Sequence, residues 1–149
     1  MKQIGLATAA ILILSSPVFA MADADCTTMW KQADVNSDGT LDATESERYA
    51  AMMRIANKPL TSGTAMSEAM FMENCKSDIF AVAITDPAAP LEGANSFTED
   101  QAKDRIISMG MTAPSTMTKD DKGIWRGTAT KDGKSANVAV DYKGNVVAK

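Results

Sequence analysis

One stretch of twelve residues constrains this chain more than any other: Asp34-Val35-Asn36-Ser37-Asp38-Gly39-Thr40-Leu41-Asp42-Ala43-Thr44-Glu45. Oxygen-bearing side chains stand at its first, third, fifth, ninth and twelfth places, and a glycine stands at the sixth. Alternate residues of a tight loop aim their oxygens at one point. A hard divalent cation takes about six to eight oxygens at roughly 2.3–2.6 Å. Asp34, Asn36, Asp38 and Asp42 offer side-chain oxygens, Thr40 its carbonyl, and Glu45 both oxygens of its carboxylate. Gly39 admits the left-handed backbone that a side chain opposes.

The flanks are helical. Before the loop, Cys26, Met29, Trp30 and Ala33 recur at the spacing of one helix face. After it, Tyr49, Ala50 and Met53 repeat that rhythm. Asp42 and Glu45 form an acidic version of the N-cap and N3 pair that starts a helix. Helix, loop and helix with these ligand positions resemble the EF-hand family over residues 26–57. The resemblance implies a Ca²⁺ site built from Asp34, Asn36, Asp38, Thr40, Asp42 and Glu45. Aspartate at the ninth place is shared with lanthanide-binding EF-hand proteins, so a trivalent lanthanide is the other ion considered. Their proline at the second place is replaced here by Val35.

Lys2, an apolar run from Ile4 to Leu14, a break at Ser15-Ser16-Pro17 and then Val18-Phe19-Ala20 read as a secretory signal over residues 1–20. Cleavage is expected after Ala20, and the apolar run is short for a membrane span of ~20 residues. A periplasmic or secreted protein follows, with no membrane association after cleavage. Cys26 and Cys75 are the two cysteines of the chain. In an oxidising compartment they form one disulfide; two buried thiols are the alternative. Histidine is absent, which removes Ser-His-Asp and Cys-His catalysis. No nucleophile motif stands in their place, so no enzyme is expected and no catalytic residue is assigned. Residues 21–110 carry 15 acidic and 7 basic side chains, whereas residues 111–149 carry 4 and 7. The basic residues are scattered without aromatic interleaving, so nucleic-acid binding is not expected.

A second helix is expected over Met66–Val82, with Met70, Phe71, Cys75, Ile79 and Val82 on its apolar face. The linker Asn57–Gly63 precedes it, and a long loop from Ala83 to Gln101 follows. Thr98-Glu99-Asp100-Gln101 then forms a capping box. Ser96-Phe97-Thr98 resembles Thr40-Leu41-Asp42, which would make Phe97 the strand partner of Leu41. On this resemblance residues 21–110 form an EF-hand pair whose second member has lost its metal; an unrelated helix-loop-helix packed on the first hand is the alternative.

Beyond Gly110 the texture becomes β-like. Ser115–Thr118 is short, Ile124–Thr130 and Asn137–Tyr142 alternate, and Lys131-Asp132-Gly133-Lys134 is a hairpin signal. Val146-Val147 ends the series. Three or four antiparallel strands on the helix that begins near Thr98 resemble the PepSY domain over residues 96–149. That resemblance rests on Thr98-Glu99-Asp100-Gln101-Ala102 and on the Asp141-Tyr142-Lys143-Gly144-Asn145-Val146 turn, and it implies a regulator or inhibitor of a secreted peptidase. Alternation places Trp125 in the sheet core and Arg126 in water. Of the 11 methionines, Met29, Met52, Met53, Met66, Met70 and Met72 lie in the helical half. Three uses are open to them: core filling, a Met-rich groove for a protein partner, and thioether binding of copper(I). A protein partner at the carboxy-terminal sheet is a further expectation. The fold class expected is α+β, an EF-hand pair followed by a β-meander on the last helix.

Overall fold

The computed structural model describes residues 21–60, 65–81 and 88–149. The expected signal over 1–20, residues 61–63 of the linker and the Asp86-Pro87 turn lie outside the described residues.

Helix α1 (Asp23–Ala33) buries Cys26, Trp30 and Ala33, the face its spacing predicted. The loop follows, then the two-residue strand β1 (Thr40–Leu41) and helix α2 (Ala43–Ile55). Asp42 and Glu45 form the expected capping box: the Asp42 carboxylate accepts from the Thr44 and Glu45 amides, and the Glu45 carboxylate accepts from the Asp42 amide. Helix α3 (Glu68–Lys76) is joined to α1 by the disulfide Cys26–Cys75, which spans 49 residues. Trp30, Tyr49, Phe71 and Phe80 fill the space between these helices, with ring centroids 4.7–5.3 Å apart. Burying Phe71 completely is worth about 2–3 kcal/mol before the edge-to-face contacts are counted.

Two expectations are corrected here. The helix after the linker does not start at Met66 or run to Val82. Met66 and Ser67 form strand β2 (Met66–Ser67), Ser67 caps α3 by accepting from the Met70 amide, and the helix ends at Lys76. The strand partner of Leu41 is therefore Met66, with Thr40 opposite Ser67, and not Phe97. Leu41 and Met66 are both fully buried in the aromatic core, whereas Phe97 is half-buried. A chain leaving α2 need travel only a short way back to lay Met66 beside Leu41, and two apolar side chains then share one core.

The carboxy-terminal half is helix α4 (Glu99–Ser108) and four antiparallel strands in the order β3 (Thr118–Lys119), β4 (Trp125–Lys131), β5 (Lys134–Val140), β6 (Val146–Ala148). Thr98 and Gln101 make the expected capping box at the start of α4. The β4–β5 hairpin turns at Asp132-Gly133, as the sequence signal implies. Ala102 and Ile106 of α4 pack on Ala129, Val138, Val140 and Val146 of the sheet. Trp125 is partly buried against this core, its indole N–H donating to the Phe97 carbonyl, while Arg126 is exposed and pairs with Asp120. The fold is α+β, with the meander lying on the last helix. On its other side α4 meets α2 through the Arg54–Asp104 ion pair and an Arg48 Nε hydrogen bond to the Ser108 carbonyl (3.1 Å). Among the described residues, no helix is long and apolar enough to cross a membrane.

Candidate metal centre

The end of α1 starts the loop. Asp34 is its C-cap, donating its amide to the Trp30 carbonyl at 2.8 Å. Ser37 (φ 58°) and Gly39 (φ 83°) then turn the backbone left-handed, so that successive amides point back at the side chains that precede them. Asp34 accepts from the Asp38 amide on one oxygen and the Gly39 amide on the other, both at 3.1 Å. Asn36 Oδ1 also accepts from the Asp38 amide (2.9 Å), and the Asn36 amide group donates to Asp38 Oδ2 (3.0 Å). Asp38 Oδ1 accepts from both the amide and the hydroxyl of Thr40, each at 2.8 Å. Those Thr40 bonds, the hydroxyl first, hold the Asp38 carboxyl below the usual carboxylate range.

Glu45 closes the mouth of the loop. Its Oε1 accepts from the Val35 amide (3.0 Å) and the Asn36 amide (3.3 Å), ten and nine residues before it, and its Oε2 takes the Asp42 amide. The structure thus brings Asp34, Asn36 and Asp38 into one hydrogen-bonded set and ties Glu45 back to it. Thr40 sits beside Asp38 in β1, opposite Ser67. Asp42 is the residue held apart, with one oxygen spent on capping α2. Among the described residues no three of the acidic or cysteine side chains stand together as a ready cluster. A bound cation therefore has to draw Glu45 and Asp42 inward from their caps.

The donor set fits such an ion. Asp34, Asp38, Asp42 and Glu45 are four carboxylates within twelve residues, and the segment contains no lysine or arginine. None of the four forms an ion pair among the described residues. Asp34 is only 7% exposed, so its charge is answered by two amides and by no cation. An ionised carboxylate has about four lone-pair sites, and the amides occupy only part of them. Bringing these four like charges together would cost repulsion, which a hard cation would offset.

Sequence reasoning missed one residue, Arg105. It stands on the same face of α4 as Ala102, Ile106 and Met109. A cation at that spacing among apolar residues was the available signal.

A scan against protein-family models, a search of curated proteins and a search of solved structures each return no match.

Proposed function

We propose that the protein is an exported calcium-binding protein with one EF-hand-type site, in which Asp34, Asn36, Asp38, the Thr40 carbonyl, Asp42 and Glu45 take a single Ca²⁺ in a structural or sensing role. The observation that carries this reading is the set of four carboxylates without a cationic partner among the described residues, held on a loop whose turns are already made. The ion supplies charge neutralisation and a tie between α1 and α2. Export is supported by the disulfide and by the signal-like amino terminus. Cleavage after Ala20 would leave Met21 as the first residue, and its backbone nitrogen already lies 2.9 Å from Asp78 Oδ1. A new ammonium group would there meet a carboxylate.

Calorimetric titration of the processed chain with Ca²⁺, Mg²⁺ and La³⁺ tests the site. Saturable Ca²⁺ binding at one ion per chain is the expected result. A preference for La³⁺ of several orders of magnitude would move the assignment to a lanthanide, and no uptake of any of the three at millimolar concentration would end it.

A second reading rests on the carboxy-terminal half. The helix and four-stranded meander of residues 98–148 have the layout that the PepSY resemblance implies, which supports a regulator of a secreted peptidase. Assays against a panel of secreted metallopeptidases address it directly.

A further inference from the structure

Between the two halves lies a cleft of about 400 Å³, within the usual size of small-ligand sites, about 300–1,000 Å³. Its walls are mixed: Met52 and Ile55 of α2, Ile79 beyond α3, Met109 after α4 and Val146 of β6 give an apolar side, and Asp78, Ser108 and Asn145 give polar surface. Arg105 of α4 borders it as well.

The seat of Arg105 is built. Its Cζ lies 4.2 Å from the centroid of the Phe97 ring. It also lies against Gly144, where a Cβ would come within 2.5 Å of Cζ. Gly144 has φ 85°, a left-handed conformation that suits glycine. The guanidinium is thus held close to both a ring and a bare stretch of backbone. Its Nε is buried without a hydrogen-bond partner, and among the described residues Arg105 forms no ion pair. Burial lowers its proton affinity, and the nearby Asp141 opposes that only through space. The Asp141 carboxylate is already occupied by the Leu91, Lys143 and Asn145 amides and the Asn145 side chain. Nε itself is enclosed, so a ligand in the cleft meets the terminal nitrogens of the half-buried guanidinium, whose planar fork matches a carboxylate.

We propose that this cleft binds a small monocarboxylate with an apolar body, its carboxylate on Arg105 and its chain against Met52, Ile55, Met109 and Val146. Lys143 also borders the cleft and adds a second positive charge. Asp78 and Asp141 stand close by, which disfavours a dianion such as phosphate over a singly charged acid.

The test is calorimetric titration of the processed chain with butyrate, hexanoate, 1-hexanol and inorganic phosphate. Hexanoate is expected to bind saturably, with a dissociation constant below about 1 mM. Butyrate should bind more weakly, and hexanol and phosphate should not saturate. Arg105→Gln should weaken hexanoate at least tenfold, and Arg105→Lys should restore part of the loss. If Arg105→Gln also shifts the thermal transition, Ile55→Trp decides instead: it fills the apolar wall while leaving the cation in place, and it should abolish hexanoate binding. Hexanoate that fails to saturate the wild-type chain, binds Arg105→Gln or Ile55→Trp as tightly, or binds more weakly than phosphate overturns the proposal.

Discussion

Single side chains in the loop have separable duties. Glu45 caps α2 and, on the proposed function, would also offer a carboxylate to the ion. Glutamine preserves the cap, because a capping box accepts Glu or Gln at that position, but it removes the charge. Glu45→Gln should therefore lower Ca²⁺ affinity at least tenfold, about 1.4 kcal/mol, while the midpoint of urea unfolding without calcium stays nearly unchanged. Gly39→Ala is the converse case. No atom lies within 4 Å of the added methyl group, so the cost is the left-handed backbone alone, about 1–2 kcal/mol, and it should appear with and without metal. Asp141 sets an acid limit. Burial alone would raise its pKa, but hydrogen bonds from Asn145, Leu91 and Lys143 outweigh that, so its folded pKa is lowered. Its contribution is fully present above its unfolded pKa of about 3.9 and is lost as pH falls through the lower folded value. Asp141→Asn should flatten the acid limb of a stability–pH curve measured by chemical unfolding.

At the scale of elements, the 34–45 loop and its two flanking helices were legible because every signal was local. Ligand spacing, the glycine and the Asp42/Glu45 cap all fall within twelve residues, and the structure forms the cap and the turns as read. The same holds for the Thr98/Gln101 cap and the Asp132-Gly133 hairpin. The partner of β1 was not legible. A two-residue strand has no periodicity, and Met66 and Met70 stand four apart, which reads as one helix face. The better signal was Ser67, a cap residue directly before Glu68. The cleft at Arg105 was hidden for a different reason: it requires α2, α4 and the β5–β6 turn to meet, and no local pattern records that. The disulfide works at this same scale, since it holds α3, and with it β2, against the helix that enters the loop. In the chain-entropy account, a closed loop of this length stabilises by about 4 kcal/mol. Reduction, or Cys26→Ser with Cys75→Ser, should lower the unfolding free energy by about 2–5 kcal/mol and weaken Ca²⁺ as well, measured by urea titration and calorimetry with and without reductant.

Across the whole molecule, α4 is the element that joins the sheet core to α2. It contributes Ala102 and Ile106 to the sheet and Asp104 and the Ser108 carbonyl to α2. Stabilisation gained at the loop should therefore be felt in the meander. Calcium at 100 times its dissociation constant adds about 2.7 kcal/mol to any unit that unfolds with the site. One calorimetric transition moving upward as a whole is expected when calcium replaces chelator. Two transitions, only the lower-temperature or the higher-temperature one responding, would show that the halves unfold separately.

Trp30 gives its carbonyl to the residue that opens the loop and its ring to Phe71. The chain's other tryptophan, Trp125, sits in the sheet. Ion uptake should thus alter the emission of the first indole and leave the second as an internal reference, so that an unlabelled sample in a fluorimeter reports its own saturation.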